Sequence, residues 1–150
     1  MQIKRIISLV LAALILTSAF ALVSCENSTD MDETAKELTA FFTEMYNSYN
    51  NEDFAKYADY LPHMTDEDKQ MMVESFKEST KNIKINYTVS DLTYTDTEDG
   101  RKLATFSLTV ESTNLMDGAN TKTTVTNTVQ SLLSKTDAGW VIDQLRITFA

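Results

Sequence analysis

Residues 82–94 read Asn-Ile-Lys-Ile-Asn-Tyr-Thr-Val-Ser-Asp-Leu-Thr-Tyr, and they divide the 150-residue chain in two. Before them apolar residues recur every three or four positions; from Ile83 they recur every second one. Ile83, Ile85, Tyr87 and Val89 alternate with polar residues, the pattern of a strand with one buried face. Leu92 and Tyr94 continue on the other parity, so the spacing predicts a bulge near Ser90-Asp91. A helical half is therefore expected to precede a sheet-forming half.

Downstream, the same period appears three more times. Ala104, Phe106, Leu108 and Val110 alternate after an acidic turn at 95–100. A loop at 114–120 leads to a threonine-rich strand over 121–135, with Val125, Val129 and Leu133 on one parity. Asp137-Ala138-Gly139 turns the chain into a last strand, Trp140 to Phe149. Its parity also changes, from Trp140 and Ile142 to Leu145, Ile147 and Phe149. Long strands with short connections form antiparallel meanders, and helices segregated to one side define the α+β class.

Upstream, Leu38, Phe41, Phe42, Met45, Tyr46 and Tyr49 mark one face of a helix over about 31–49. Asp30 is its expected N-cap, with Glu33 completing a capping-box-like pair. Asn50-Asn51 ends it. A short helix carries Phe54, Tyr57, Ala58 and Leu61 and stops at Pro62, because the residue before a proline disfavours helix. Thr65 and Asp68 open a third helix, running to about Lys81, whose apolar side holds Met71, Met72, Ser75 and Phe76. Three helices ahead of a curved four-stranded antiparallel meander are thus expected.

The first 25 residues carry a different message. Lys4 and Arg5 precede an uncharged apolar run that ends in Leu22-Val23-Ser24-Cys25. A basic start, an apolar stretch and small residues before a cut are the parts of a secretory signal peptide. The last four residues resemble the lipobox of bacterial lipoproteins. That resemblance implies cleavage after residue 24 and a diacylglycerol on Cys25, the chain's one cysteine. It sets out three segments: a signal peptide at 1–24, a lipidated cysteine and polar tether at 25–30, and a folded domain at 31–150. One acyl chain holds a protein only marginally to a bilayer, whereas two hold it firmly. The implied location is the extracytoplasmic face of the cell membrane.

Charge narrows the partners. The chain has 22 acidic and 13 basic residues. Loss of Lys4 and Arg5 with the signal leaves 11 basic residues and a net charge of −11. Nucleic-acid binding needs clustered Lys and Arg, and anionic lipid attracts basic segments, so this balance opposes both. The membrane partnership therefore rests on Cys25.

The order of elements, together with Asn51-Glu52-Asp53-Phe54-Ala55-Lys56-Tyr57-Ala58-Asp59-Tyr60-Leu61 and Gly139-Trp140-Val141-Ile142-Asp143-Gln144-Leu145, resembles nuclear transport factor 2-like domains. It is similar above all to small lipoproteins with lumazine-binding-like domains. The resemblance implies a cone-shaped, cystatin-like α+β roll. It also implies a choice of functions, because this fold carries isomerases, cyclases and dehydratases beside non-catalytic binding modules.

Two functional expectations follow. In the first, the domain is an extracytoplasmic binding or accessory module for a small apolar ligand or an envelope protein, able to pair with a second copy through its sheet. Tyr46, Tyr49, Tyr57, Tyr87 and Trp140 then line a cleft between the first helix and the concave sheet, with Phe106 as core. In the second, it is a ketosteroid-isomerase-like lyase or isomerase. Asp143 is then the carboxylate base, facing inward with Val141, Leu145 and Ile147. His63, the one histidine, reads as a solvated loop residue. Neither a metal nor a cofactor is expected, because no His/Cys/Asp grouping has zinc spacing and glycine is too scarce for a phosphate-cradling loop. Replacing Cys25 by Ser should abolish incorporation of an alkyne-labelled fatty acid and release the chain from the membrane fraction; retention with the label would refute the anchor.

Overall fold

The computed structural model describes residues 32–116, 118 and 120–148. The expected signal peptide, the expected lipidation at Cys25 and the expected cap at Asp30 all lie outside the described residues. Three helices come first: α1 (Glu33–Asn50), α2 (Phe54–Asp59) and α3 (Asp66–Ser79). Four strands follow: β1 (Ile83–Asp96), β2 (Lys102–Asn114), β3 (Lys122–Thr136) and β4 (Gly139–Thr148). They form one antiparallel sheet in the order β1-β2-β3-β4.

Local chemistry sets the helix starts. α1 is capped by Asp32, not by the expected Asp30: its Oδ1 accepts from the Ala35 N–H at 2.8 Å. A side-chain oxygen at this position satisfies one of the N–H groups that the first helical turn leaves unpaired. Asp53 caps α2 in the same way. α3 opens on a full capping box between Thr65 and Asp68, as the sequence indicates. Its apolar side is thinner than expected. No α3 residue is fully buried and Met71 is 56% exposed, because α3 packs on α2 and reaches the interior through Phe76.

α1 lies against the concave face of the sheet. Leu38, Phe42, Met45 and Tyr46 from the helix meet Ala104, Phe106, Leu108, Val129, Leu133 and Ile142 from the strands. The Phe42 and Phe106 rings stand 4.5 Å apart at the centre. Burying a side chain of this size is worth roughly 1.5–3 kcal/mol. The helix end is tied to the sheet by Asn50. Its side-chain amide donates to the Tyr87 carbonyl at 2.8 Å and its oxygen accepts from the Tyr87 N–H at 2.7 Å. A side-chain amide thus completes the outer edge of β1 as another strand would.

Both parity changes in the sequence are bulges. The β1–β2 register shifts between Ser90 and Thr93, where Asp91 takes a φ of 53°. In β4 the partners pass from Leu133–Ile142 to Leu132–Gln144, leaving Asp143 as the extra residue. Val141 is therefore not on the side of Leu145 and Ile147, as an unbroken strand would have it: it is 46% exposed on the outer face. That outer face bears hydroxyl rungs, Thr88–Thr109–Thr126 and Ser90–Ser107–Thr128–Thr148. Thr109 and Thr126 are hydrogen-bonded at 3.0 Å. Phe42→Ala should lower stability by about 3–5 kcal/mol in urea unfolding, since the packed centre cannot collapse onto the void.

Candidate functional site

Between α1, the segment after α2 and the start of β4 lies an open cleft of about 540 Å³. Phe41, Tyr60, Leu61, Pro62, Trp140 and Ile142 supply most of its wall. Phe41 is brought there by the same turn of α1 that sends Phe42 into the core, and its ring meets Tyr60 edge-on at 5.3 Å. Helix α2 ends at Asp59, so Tyr60 to Pro62 leave it as a short bracket facing β4. The pocket is therefore built by three elements distant in sequence.

Trp140 sits on the far edge strand and is firmly held. Its Nε1–H donates to Glu37 Oε2 at 3.0 Å, and the same oxygen accepts from Lys135 Nζ at 2.6 Å. The Lys135 ammonium stands 5.1 Å from the centre of the indole, in cation–π range. These partners hold Glu37 below the ordinary carboxylate range: the Lys135 hydrogen bond does most, then that of Trp140.

The cleft's charges are matched by neighbours. Lys56 Nζ is 2.8 Å from Glu44, and Lys69 reaches Asp59 at the same distance. Asp143 Oδ2 accepts from Ser134 Oγ at 2.6 Å and lies 3.6 Å from Arg101 Nη1. Ser134 pairs with Val141 on the outer face, so the Asp143 carboxylate turns outward at the bulge. Its backbone carbonyl points the other way, where His63 Nε2 meets it at 3.2 Å. Among the described residues no group of three or more His, Cys, Asp or Glu has the geometry of a metal site.

The structure brings four of the five expected aromatics together. Tyr46 and Tyr87 rings are 5.2 Å apart, Tyr49 and Tyr87 4.9 Å, and Tyr49 and Tyr57 5.3 Å. Phe106 joins them as core. Trp140 is not in this cluster. Tyr87 is on β1 and Trp140 on β4, so two strands separate them. Phe41, Tyr60 and His63 also line the cleft, beyond the residues expected there from sequence. The clue for His63 was its place beside Pro62, opposite a strand whose parity breaks at Asp143.

Burial is the main cause that pushes up the phenols of Tyr46, Tyr49, Tyr57, Tyr60 and Tyr87, because a phenolate loses solvation there. Tyr94 is raised chiefly by its hydrogen bond to Asp32. All six tyrosines therefore ionise above the ordinary value of 10.0 when folded. Raised phenol values add stability below pH 10, which is lost as pH climbs from 10 toward the folded values. Tyrosinate absorbance at pH 10 should be well below that of the urea-unfolded chain, about half of whose phenols are ionised there; equal absorbance would contradict the packing.

No protein-family model matches the sequence, and no curated protein does. Solved structures match at the level of shape. ActVI-ORFA from Streptomyces coelicolor superposes with a TM-score of 0.62 at 16% identity, covering 76% of this chain and 93% of that one. A protein from Novosphingobium aromaticivorans, proposed to be a scytalone dehydratase, gives 0.60 at 6% identity over 77% and 83%. A nuclear transport factor 2-like superfamily protein from Salmonella enterica gives 0.57 at 14% identity over 77% and 89%. Three helices leading into a curved four-stranded antiparallel sheet, with these neighbours in shape, give the chain the nuclear transport factor 2-like α+β cone fold.

Proposed function

We propose that this is a lipid-anchored extracytoplasmic binding domain whose cleft takes a small, uncharged, ring-bearing molecule. The observation that carries the reading is the cleft at Trp140: largely apolar walls, a held indole, and charged groups already matched by neighbours. A charged ligand would compete with those pairs, whereas a neutral ring gains apolar contact without disturbing them. Trp140 and Phe41 give the ring contact. Tyr46, Tyr49, Tyr57 and Tyr87 back the helix against the sheet and set the position of α2. The location rests on the resemblance of 22–25 to a lipobox.

Proton transfer is less well supported. A lyase or isomerase of this fold needs a carboxylate aimed at substrate from an apolar site. Asp143 instead accepts from Ser134 and faces Arg101 on the outer side. An envelope protein as partner has no comparable feature in its favour.

The chain has one tryptophan, so its fluorescence reports the cleft directly. The neutral probe 2-naphthol should quench it saturably, and Phe41→Ala with Tyr60→Ala should weaken the apparent affinity at least about tenfold, the equivalent of 1.4 kcal/mol. Native mass spectrometry of the domain from cell extract should retain a small molecule. Linear, unsaturable quenching together with an empty spectrum would remove this reading.

A further inference from the structure

The bracket Tyr60–Thr65, whose residues 60–63 line one wall of the cleft, has little that ties it to the sheet. Its backbone bonds run back into α2 or forward into α3: Tyr60 N–H to Tyr57, Leu61 N–H to Ala58, and Lys69 N–H to Thr65. Among the hydrogen bonds that the described residues of this bracket make, the one that crosses to the sheet joins His63 Nε2 and the Asp143 carbonyl at 3.2 Å. Both ends are prepared for it. Asp143 is the extra residue of the β4 bulge, and a bulged residue leaves the ladder, so its carbonyl is free for another donor. His63 has a φ of 57°, in the left-handed region that few non-glycine residues adopt. That strained backbone turns the side chain back toward β4 after Pro62.

We propose that His63 is the latch of the cleft: a positioning residue that pins the 60–65 wall to the bulge of β4 and so sets the cleft's width over Trp140. The proposal deepens the binding reading above and rests on it for its function, though not for its geometry. A carbonyl only accepts, so Nε2 carries the proton. In neutral His63 the hydrogen is therefore on Nε2 and Nδ1 is bare. The latch is a single hydrogen bond on an exposed residue, so the wall beyond Tyr60, whose ring stays packed on Phe41, can part from the sheet without unfolding the core. One such bond, exchanged readily with water, is weak enough for a gate that opens and closes at ambient temperature.

The test needs no ligand. Acrylamide, a neutral quencher, reports access to Trp140. Relative to the parent chain, His63→Leu should raise the acrylamide quenching constant about twofold. His63→Gln keeps an N–H donor of similar reach and should stay near the parent value. Denaturation midpoints of all three should agree, because the Phe42–Phe106 centre is untouched. Nitrogen NMR of the single histidine should show the Nε2–H tautomer in the parent. Equal quenching in the Leu variant and the parent, or a tautomer with the proton on Nδ1, would overturn the latch. The binding reading has a separate readout: saturable 2-naphthol quenching in the parent supports it whatever the acrylamide result. A latch confirmed without such saturation leaves a gated cleft that holds no ring.

Discussion

One long helix has to cover four long strands, and a flat sheet would leave much of its apolar face open to water. The domain depends on bending the sheet around α1. The bend is made where an outer strand takes up one residue too many, near Asp91 in β1 and at Asp143 in β4. Each bulge strengthens the local twist and wraps its strand toward the helix. The Phe42–Phe106 contact and the aromatic layer around Tyr46 follow from that curvature, because flat strands would not bring both edges within reach of one helix.

The curvature also explains why the interior and the cleft differ in character. On the β1 side the concavity is filled by Tyr46, Tyr49, Tyr57 and Tyr87, with Phe76 closing it from α3. On the β4 side α1 contributes Phe41 and Glu37 but the sheet edge is left partly uncovered, and the bracket after α2 stands off from it. The result is a dense aromatic half beside an open one. The open half contains the bulge whose carbonyl meets the lone histidine, and the indole held by Glu37.

Much of the architecture is written in local pattern. Alternation at Ile83–Val89 and Ala104–Val110 marks strands because period two has one structural meaning, and both parity breaks are bulges. Met71 misled because helical spacing shows which residues share a face, not whether anything covers it. The site is harder to read. Phe41, His63 and Trp140 lie on three elements, and nothing local says that a turn after Pro62 swings back to β4. Trp140 and Tyr87 are both aromatic residues on concave-facing strands. Only the strand order, which puts them on opposite edges, separates their roles. Asp143 shows the reverse limit: its parity was legible, but the bulge turns carboxylate and carbonyl to opposite sides.

The hydroxyl rungs on the outer face have an evolutionary corollary. Thr88, Thr109 and Thr126, like Ser90, Ser107, Thr128 and Thr148, project away from both the core and the cleft. Their demand on the sequence is modest: short, β-compatible and water-compatible side chains. Such a face can drift through many substitutions while the fold persists, so relatives should diverge fastest there. The positions that hold Trp140 and the bulge have far less freedom. An outer sheet free to change beside an inner face that is not would let one scaffold acquire new neighbours without rebuilding its pocket.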